Sequence, residues 1–314
     1  MSPGGPSQTP RRAGKAMRTT EATRRLFDAD FLKRLDELSI VSRRMSAGQA
    51  KGERRTVRKG SGVEFMDYRP YTVGDDLRYV DWNIYSRLDK LLLKLYVEEE
   101  DMCLHLLVDG SASMGFGEPP KLDYAVRVAA ALGYVALTNL ERVALGVLAD
   151  DASRMLRPLR GRGQIVPIMD VLGGVTAGGP TALNRGLAHY ALRSRAPGVA
   201  VVLTDLLDAG GYADGLKALL QRRFDVVLLH VVSEDELEPG LQGDLTLVDS
   251  EGGTAREVSV DRWALERYRA RLKEHFDAAE RFCARHGIDY LRTSTATPFQ
   301  ELILHHLRRG GFLR

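Results

Sequence analysis

At 314 residues, 44% of them hydrophobic and 28% charged, the chain reads as a soluble globular protein of one large domain, or one large plus one small. A chain of this length buries roughly three quarters of its unfolded surface, so it needs no disulfide or structural metal to hold a core. Cys103 and Cys283 lie far apart, which excludes a disulfide scaffold, a zinc ribbon and an iron–sulfur site.

The net charge of +3 is unevenly placed: residues 1–60 carry 15 Lys or Arg against 6 Asp or Glu, and the remainder 30 against 36. Residues 1–24, rich in Pro, Gly, Ser, Thr and Arg, are expected to form a disordered basic tail. The opening Met1-Ser2-Pro3-Gly4-Gly5-Pro6 has no apolar leader, and no apolar run approaches the roughly 18 residues of a membrane helix. A cytoplasmic protein without a membrane span is the expectation. A basic arm can bind nucleic acid or an anionic membrane, but this one has no aromatic residue before Phe27 to stack a base. A solvated tail leading into an ordinary amphipathic helix is the favoured reading.

From Asp28 to about Ser46, Phe31, Leu32, Leu35, Leu38, Ile40 and Val41 recur roughly at helical spacing. Arg55–Phe65 and Leu91–Glu98 read as strands around a turn-rich, charged stretch, so residues 25–100 are taken as a smaller N-terminal segment. Residues 101–314 form the main domain, where strands and helices alternate. Strands are predicted at Cys103–Val108, Arg142–Leu148, Ala200–Thr204, Val226–Val232 and Asp289–Arg292. Helices are predicted at Leu122–Leu140, Gly163–Leu172, Ala182–Arg193, Tyr212–Arg222, Asp261–Arg285 and Pro298–Arg308. Between Asp244 and Val260, two short runs flank Ser250-Glu251-Gly252-Gly253 as a hairpin. The run Val199-Ala200-Val201-Val202-Leu203 has no polar face, the mark of a parallel strand covered on both sides. The fold class is therefore α/β: a doubly wound, mostly parallel sheet with a small N-terminal helix-plus-strand attachment.

Open α/β sheets bind ligands beyond the carboxyl ends of their strands. Three loops bring oxygen there: Asp109-Gly110-Ser111-Ala112-Ser113 after the first strand, Gly178-Gly179-Pro180-Thr181, and the strand-terminal Thr204-Asp205. Asp109, Ser111, Ser113, Thr181 and Asp205 offer two carboxylates and three hydroxyls, with no sulfur or imidazole. That set suits Mg²⁺ or Mn²⁺. Two carboxylates cancel the ion's charge and hydroxyls add none, so it stays electrophilic enough to accept a carboxylate from outside.

These five positions, in order and in strand context, resemble the metal-ion-dependent adhesion site of von Willebrand factor A domains. The resemblance implies that Ser111 and Ser113 bind the metal directly, and that Thr181, Asp109 and Asp205 do so directly or through water. Leu206 departs from the pattern, since many such domains have Gly after that aspartate. A second resemblance is carried by Tyr68-Arg69-Pro70-Tyr71, Gly74-Asp75-Asp76-Leu77-Arg78 and Asp81-Trp82, which look like the signature of the bacterial DUF58 family. The two resemblances span roughly residues 50–308. They imply a non-enzymatic, metal-dependent protein-binding module, an adaptor or co-chaperone of a MoxR-type AAA+ ATPase.

Other readings stand beside these. The serines could simply cap a strand-to-helix turn. The stretch Arg69–Arg87 is read as structural, with Trp82 in the core and Arg78, Asp81 and Arg87 paired, against a partner-binding alternative. His105 and His230 fall in buried strands and are read as hydrogen-bonded core residues. Met114 and Phe116 could rim the metal loop or pack beneath it. Among enzymes, a haloacid-dehalogenase-like phosphotransferase could use Asp109 as nucleophile, but that family needs a second Asp where this chain has Ser111. No Walker A or G-x-S-x-G motif is present, so the chain is not expected to be an enzyme. Accessory nucleic-acid binding by the N-terminal arm is the third class.

Overall fold

Strands without a polar face need cover on both sides, and helices on each face of the large sheet supply it. The computed structural model describes residues 27, 29–40, 64–97, 102–148, 155–309 and 312–313. They fall into two compact units, Met1–Val41 with Met102–Arg314, and Ser42–Asp101.

The larger unit is built on strands β3 (Cys103–Asp109), β4 (Arg142–Leu148), β5 (Met155–Arg160), β6 (Val199–Thr204), β7 (Asp225–Val232) and β10 (Asp289–Ser294). They lie in the order β10-β7-β6-β3-β4-β5. All neighbours are parallel except the β4–β5 pair. Alternate residues face opposite layers. Leu104, Leu106 and Val108 join a core with Val128, Leu132 and Ile168, whereas Leu107 joins Leu187, Leu216 and Cys283 on the other side. Helices α3 (Lys121–Thr138) and α4 (Ile165–Gly173) thus cover one face. Helices α5 (Leu183–Arg193), α6 (Ala213–Gln221) and α8 (Arg262–His286) cover the other. The doubly wound expectation holds.

Several elements depart from the sequence reading. Strand β5 was not anticipated: Arg157, Pro158 and Arg160 dilute its apolar pattern, and Pro158 is tolerated because the strand is an edge. The short helix α7 (Glu234–Leu237) was also missed. Helix α1 (Ala29–Asp36) belongs to the larger unit, not to a segment ending at residue 100. The reason is its apolar stripe: Phe27, Phe31, Leu35 and Leu38 are all buried in the α3-side core, where Phe31 meets Phe299 edge-on at 5.3 Å. The expected continuation to Ser46 runs outside the described residues after Ile40, which bridges to Leu313. The tail 1–24 also lies outside them. The expected hairpin is present as β8 (Gly243–Val248) and β9 (Ala255–Val260).

In the smaller unit, β1 (Glu64–Pro70) pairs antiparallel with β2 (Leu92–Val97), and α2 (Trp82–Leu88) follows a short turn. Most of the strand expected at Arg55–Phe65 lies outside the described residues. The Tyr68–Trp82 signature ties this unit together locally. Arg69 Nη2 donates to Asp75 Oδ1 at 2.7 Å, and the Thr72 amide and hydroxyl donate to Asp75 Oδ2. Asp81 caps α2 through the Asn83 and Ile84 amides and accepts from Tyr68 Oη. The structural reading of the stretch needs two corrections. Trp82 is 55% exposed, not core, because α2 buries none of its residues. Arg78 pairs with Asp76, two residues away, and not with Asp81.

Candidate metal centre

Strands β3 and β6 are parallel neighbours in register from Leu104↔Val199 to Val108↔Leu203, so Asp109 and Thr204-Asp205 leave the sheet side by side. Asp109 is buried, with both oxygens engaged. Its Oδ1 accepts from the Ser111 amide at 3.0 Å, and its Oδ2 accepts from the Thr204 hydroxyl at 2.6 Å. Ser111 Oγ and Ser113 Oγ are 3.0 Å apart and both residues are buried. A tight turn spans Ala112–Gly115, and Phe116 follows it. Met114 is fully buried beneath the loop, and Phe116 is 51% exposed at its rim. Leu206 holds φ +58°, the left-handed region where Gly is unstrained, yet its side chain is buried.

The Thr181 loop joins the first loop through backbone bonds: Gly178 N to Gly110 O and Ala112 N to Gly179 O, each 3.0 Å. Thr181 itself points elsewhere. Its amide donates to Glu251 Oε2 at 3.0 Å and its hydroxyl donates to Glu251 Oε1. Glu251 sits at the turn of the β8–β9 hairpin. The structure therefore gathers Asp109, Ser111, Ser113 and Asp205, and sets Thr181 beside them with its hydroxyl held by another group.

Electrostatics distinguish the two aspartates. Burial pushes Asp109 up to about 6, and the neighbouring Asp205 carboxylate adds to this, while bonds from Thr204 and Ser111 pull it back. Asp205 has a partner of its own. Lys121, fully buried at the start of α3, donates to Asp205 Oδ2 at 2.7 Å and also to Glu236 of α7. Lys121 and Glu236 were not singled out from the sequence. One signal was available: Lys121, Ala125, Val128 and Leu132 form a stripe at i, i+4, i+7 and i+11 that is otherwise apolar. A lysine on such a stripe must be paired when buried.

Two buried carboxylates that repel one another, edged by hydroxyls, are the surroundings a hard divalent ion relieves, so this donor set fits Mg²⁺ or Mn²⁺. Among the described residues, no group of three or more His, Cys, Asp or Glu is placed to hold a metal. The serine hydroxyls would have to carry the ligation. His105 and His230 are buried and hydrogen-bonded, as the sequence suggested: His105 Nδ1 is 2.7 Å from Tyr190 Oη, and His230, which neighbours Asp205, has Nδ1 2.8 Å from Tyr290 Oη.

Comparison with known proteins places the chain in a family. Two mycobacterial proteins are each 29% identical over 241 residues, covering 74% of this chain and 75% of their own length. They are the uncharacterized proteins Rv1480 of Mycobacterium tuberculosis and Mb1516 of Mycobacterium bovis. Among solved structures, the conserved hypothetical protein BatB from Bacteroides thetaiotaomicron aligns with a TM-score of 0.42 at 16% identity, covering 67% of this chain and 98% of that one. The SpRpn10 VWA domain aligns at 0.35 and 14% identity, over 64% and 93%. A family model described as "Protein of unknown function DUF58" matches residues 67–278, from the Tyr68–Trp82 signature to α8. With well over half of its length matched, the chain belongs to the DUF58 family.

Proposed function

We propose that this chain is a non-enzymatic, divalent-metal-dependent protein-binding module in the cytoplasm. The observation that carries the reading is the convergence of Asp109, Ser111, Ser113 and Asp205 at one carboxyl edge, with the Thr181 loop hydrogen-bonded to theirs. Mg²⁺ or Mn²⁺ bound there would supply an electrophilic centre for one acidic side chain of a partner. The protein's own part is to fix the donors before the partner arrives. Asp109 is locked by Thr204 and Ser111, and Asp205 Oδ1 is held by the Leu207 amide at 3.0 Å. Phe116 and Leu207 stand exposed at the edge as apolar contacts. Beside Asp205 lies a largely apolar cleft of about 350 Å³, lined in part by Leu207, His230, Tyr268 and Phe276, with room for a partner side chain next to the acidic one. The family resemblance supports a MoxR-type AAA+ ATPase as that partner.

An aspartyl-phosphate mechanism is disfavoured by the same geometry. Asp109 is 1% exposed with both oxygens accepting hydrogen bonds, which leaves it poorly placed to attack a substrate, and Ser111 stands where the second acid would be needed. Among the described residues, no helix is long and apolar enough to cross a membrane.

The test is to titrate a MoxR-type ATPase against wild type, Ser113→Ala and Arg78→Ala, each with and without EDTA. Binding is expected to require metal, and Ser113→Ala to weaken it about 30-fold or more, the cost of a charge-assisted buried contact. Arg78→Ala should bind as wild type. Equal affinity in all metal conditions would remove the metal loop as the docking point.

A further inference from the structure

We infer that Lys121 is the site's built-in cation, an ammonium tethered on α3 that holds Asp205 and with which a divalent ion must compete. The inference rests on the metal-site reading above and adds the residue that regulates it. Position 121 lies outside the five positions that the resemblance marks.

Three observations carry it. First, the Lys121 side chain is 0% exposed and its two carboxylate partners are 2% and 14% exposed, so the group sits inside the protein with no bulk water to screen it. Second, both partners are themselves fixed. Glu236 Oε2 accepts from the Ser233 amide at 2.8 Å in a capping box, and Asp205 Oδ1 accepts from the Leu207 amide. The ammonium therefore cannot drift away from Asp205 at no cost. Third, both oxygens of Asp205 are occupied, Oδ1 by Leu207 and Oδ2 by Lys121 at 2.7 Å. A divalent ion drawing on Asp205 must share or displace Oδ2 from the lysine.

Charge arithmetic gives the direction. Asp109, Asp205 and Glu236 bring three negative charges when ionised, and Lys121 cancels one, leaving two for a divalent ion to neutralise. Removing Lys121 leaves three. The lysine also explains how the domain tolerates a buried acidic cluster when no metal is bound, since Asp205 already has a counter-ion. It acts as a tethered placeholder: it stabilises the metal-free state and weakens the metal-bound one.

The experiment uses the full chain and Mg²⁺ alone. Calorimetric titration is run on wild type and Lys121→Met, and in parallel on Glu236→Gln and Lys121→Met/Glu236→Gln. The second pair removes one anion along with the cation and so guards against a single variant that fails to fold. Thermal unfolding of all four is followed in EDTA and in Mg²⁺. Each methionine variant should bind Mg²⁺ about tenfold or more tighter than its lysine parent, the direction set by removing one buried like charge. In EDTA each should melt lower than its parent, and Mg²⁺ should raise its melting temperature by more than it raises the parent's. If metal binds the parents but the methionine variants bind it equally or more weakly, Lys121 is not a competitor and the metal site stands without it. If none of the four binds metal, this inference and the metal reading both fall.

Discussion

At the scale of single residues, the site motif was legible because it is local. Asp109, Ser111 and Ser113 lie within five positions, and their geometry follows from one strand ending in one tight turn. What was not legible is where the competing groups come from. Glu251 reaches Thr181 across 70 positions and Lys121 reaches Asp205 across 84, and no local pattern announces a pairing at that distance. The buried titratable residues make a pH prediction. Burial, with Arg142 adding, lowers His105 from 6.5 to about 4; burial, with His275 adding, lowers His230 to about 3. Between pH 6.5 and 4 the unfolded chain takes up protons on both histidines and the folded chain does not. Stability present above pH 6.5 is therefore lost on acidification. Asp109 opposes this, because its raised value means the folded state binds its proton first, between about 6 and 3.8. Two groups outweigh one, each at about 1.4 kcal/mol per pH unit where it titrates. In EDTA, the urea midpoint should fall from pH 7 to pH 5, and fall more steeply in Asp109→Asn, which lacks the opposing group. A midpoint that rises on acidification would contradict this assignment.

At the scale of elements, apolar periodicity identified the central strands and the long helices, since a two-sided strand or a one-sided helix writes its burial into the sequence. It could not say which body α1 joins. The same stripe of Phe27, Phe31, Leu35 and Leu38 would suit either unit, and only the tertiary structure reveals Phe299 and the α3-side core opposite it. Strand β5 was hidden for the converse reason, because an edge strand needs only one good neighbour and can carry proline and arginine. The placement of α1 predicts that Phe31→Ala destabilises the large unit by about 3–5 kcal/mol, as truncation of a buried phenylalanine does. Chemical denaturation should report that loss in the same transition as the sheet. A separate early transition, or a loss below about 1 kcal/mol, would show that the helix is not docked in this core.

At the scale of the whole molecule, the parallel sheet does the functional positioning. With β3 and β6 adjacent and co-directional, the ends of two strands distant in sequence deliver Asp109 and Asp205 to one edge. Strand order also explains why the alternation of strands and helices was enough to bring these loops to one candidate edge without any contact being known. Whether this edge binds a divalent ion is decided by calorimetric titration of Mg²⁺ and of Mn²⁺ into wild type and Asp109→Asn at pH 7.5. Saturable binding at one site is expected in wild type, and none in the variant, whose far-ultraviolet spectrum and unfolding transition show it folded. Binding of equal strength in both proteins, or no binding in wild type, would contradict that expectation.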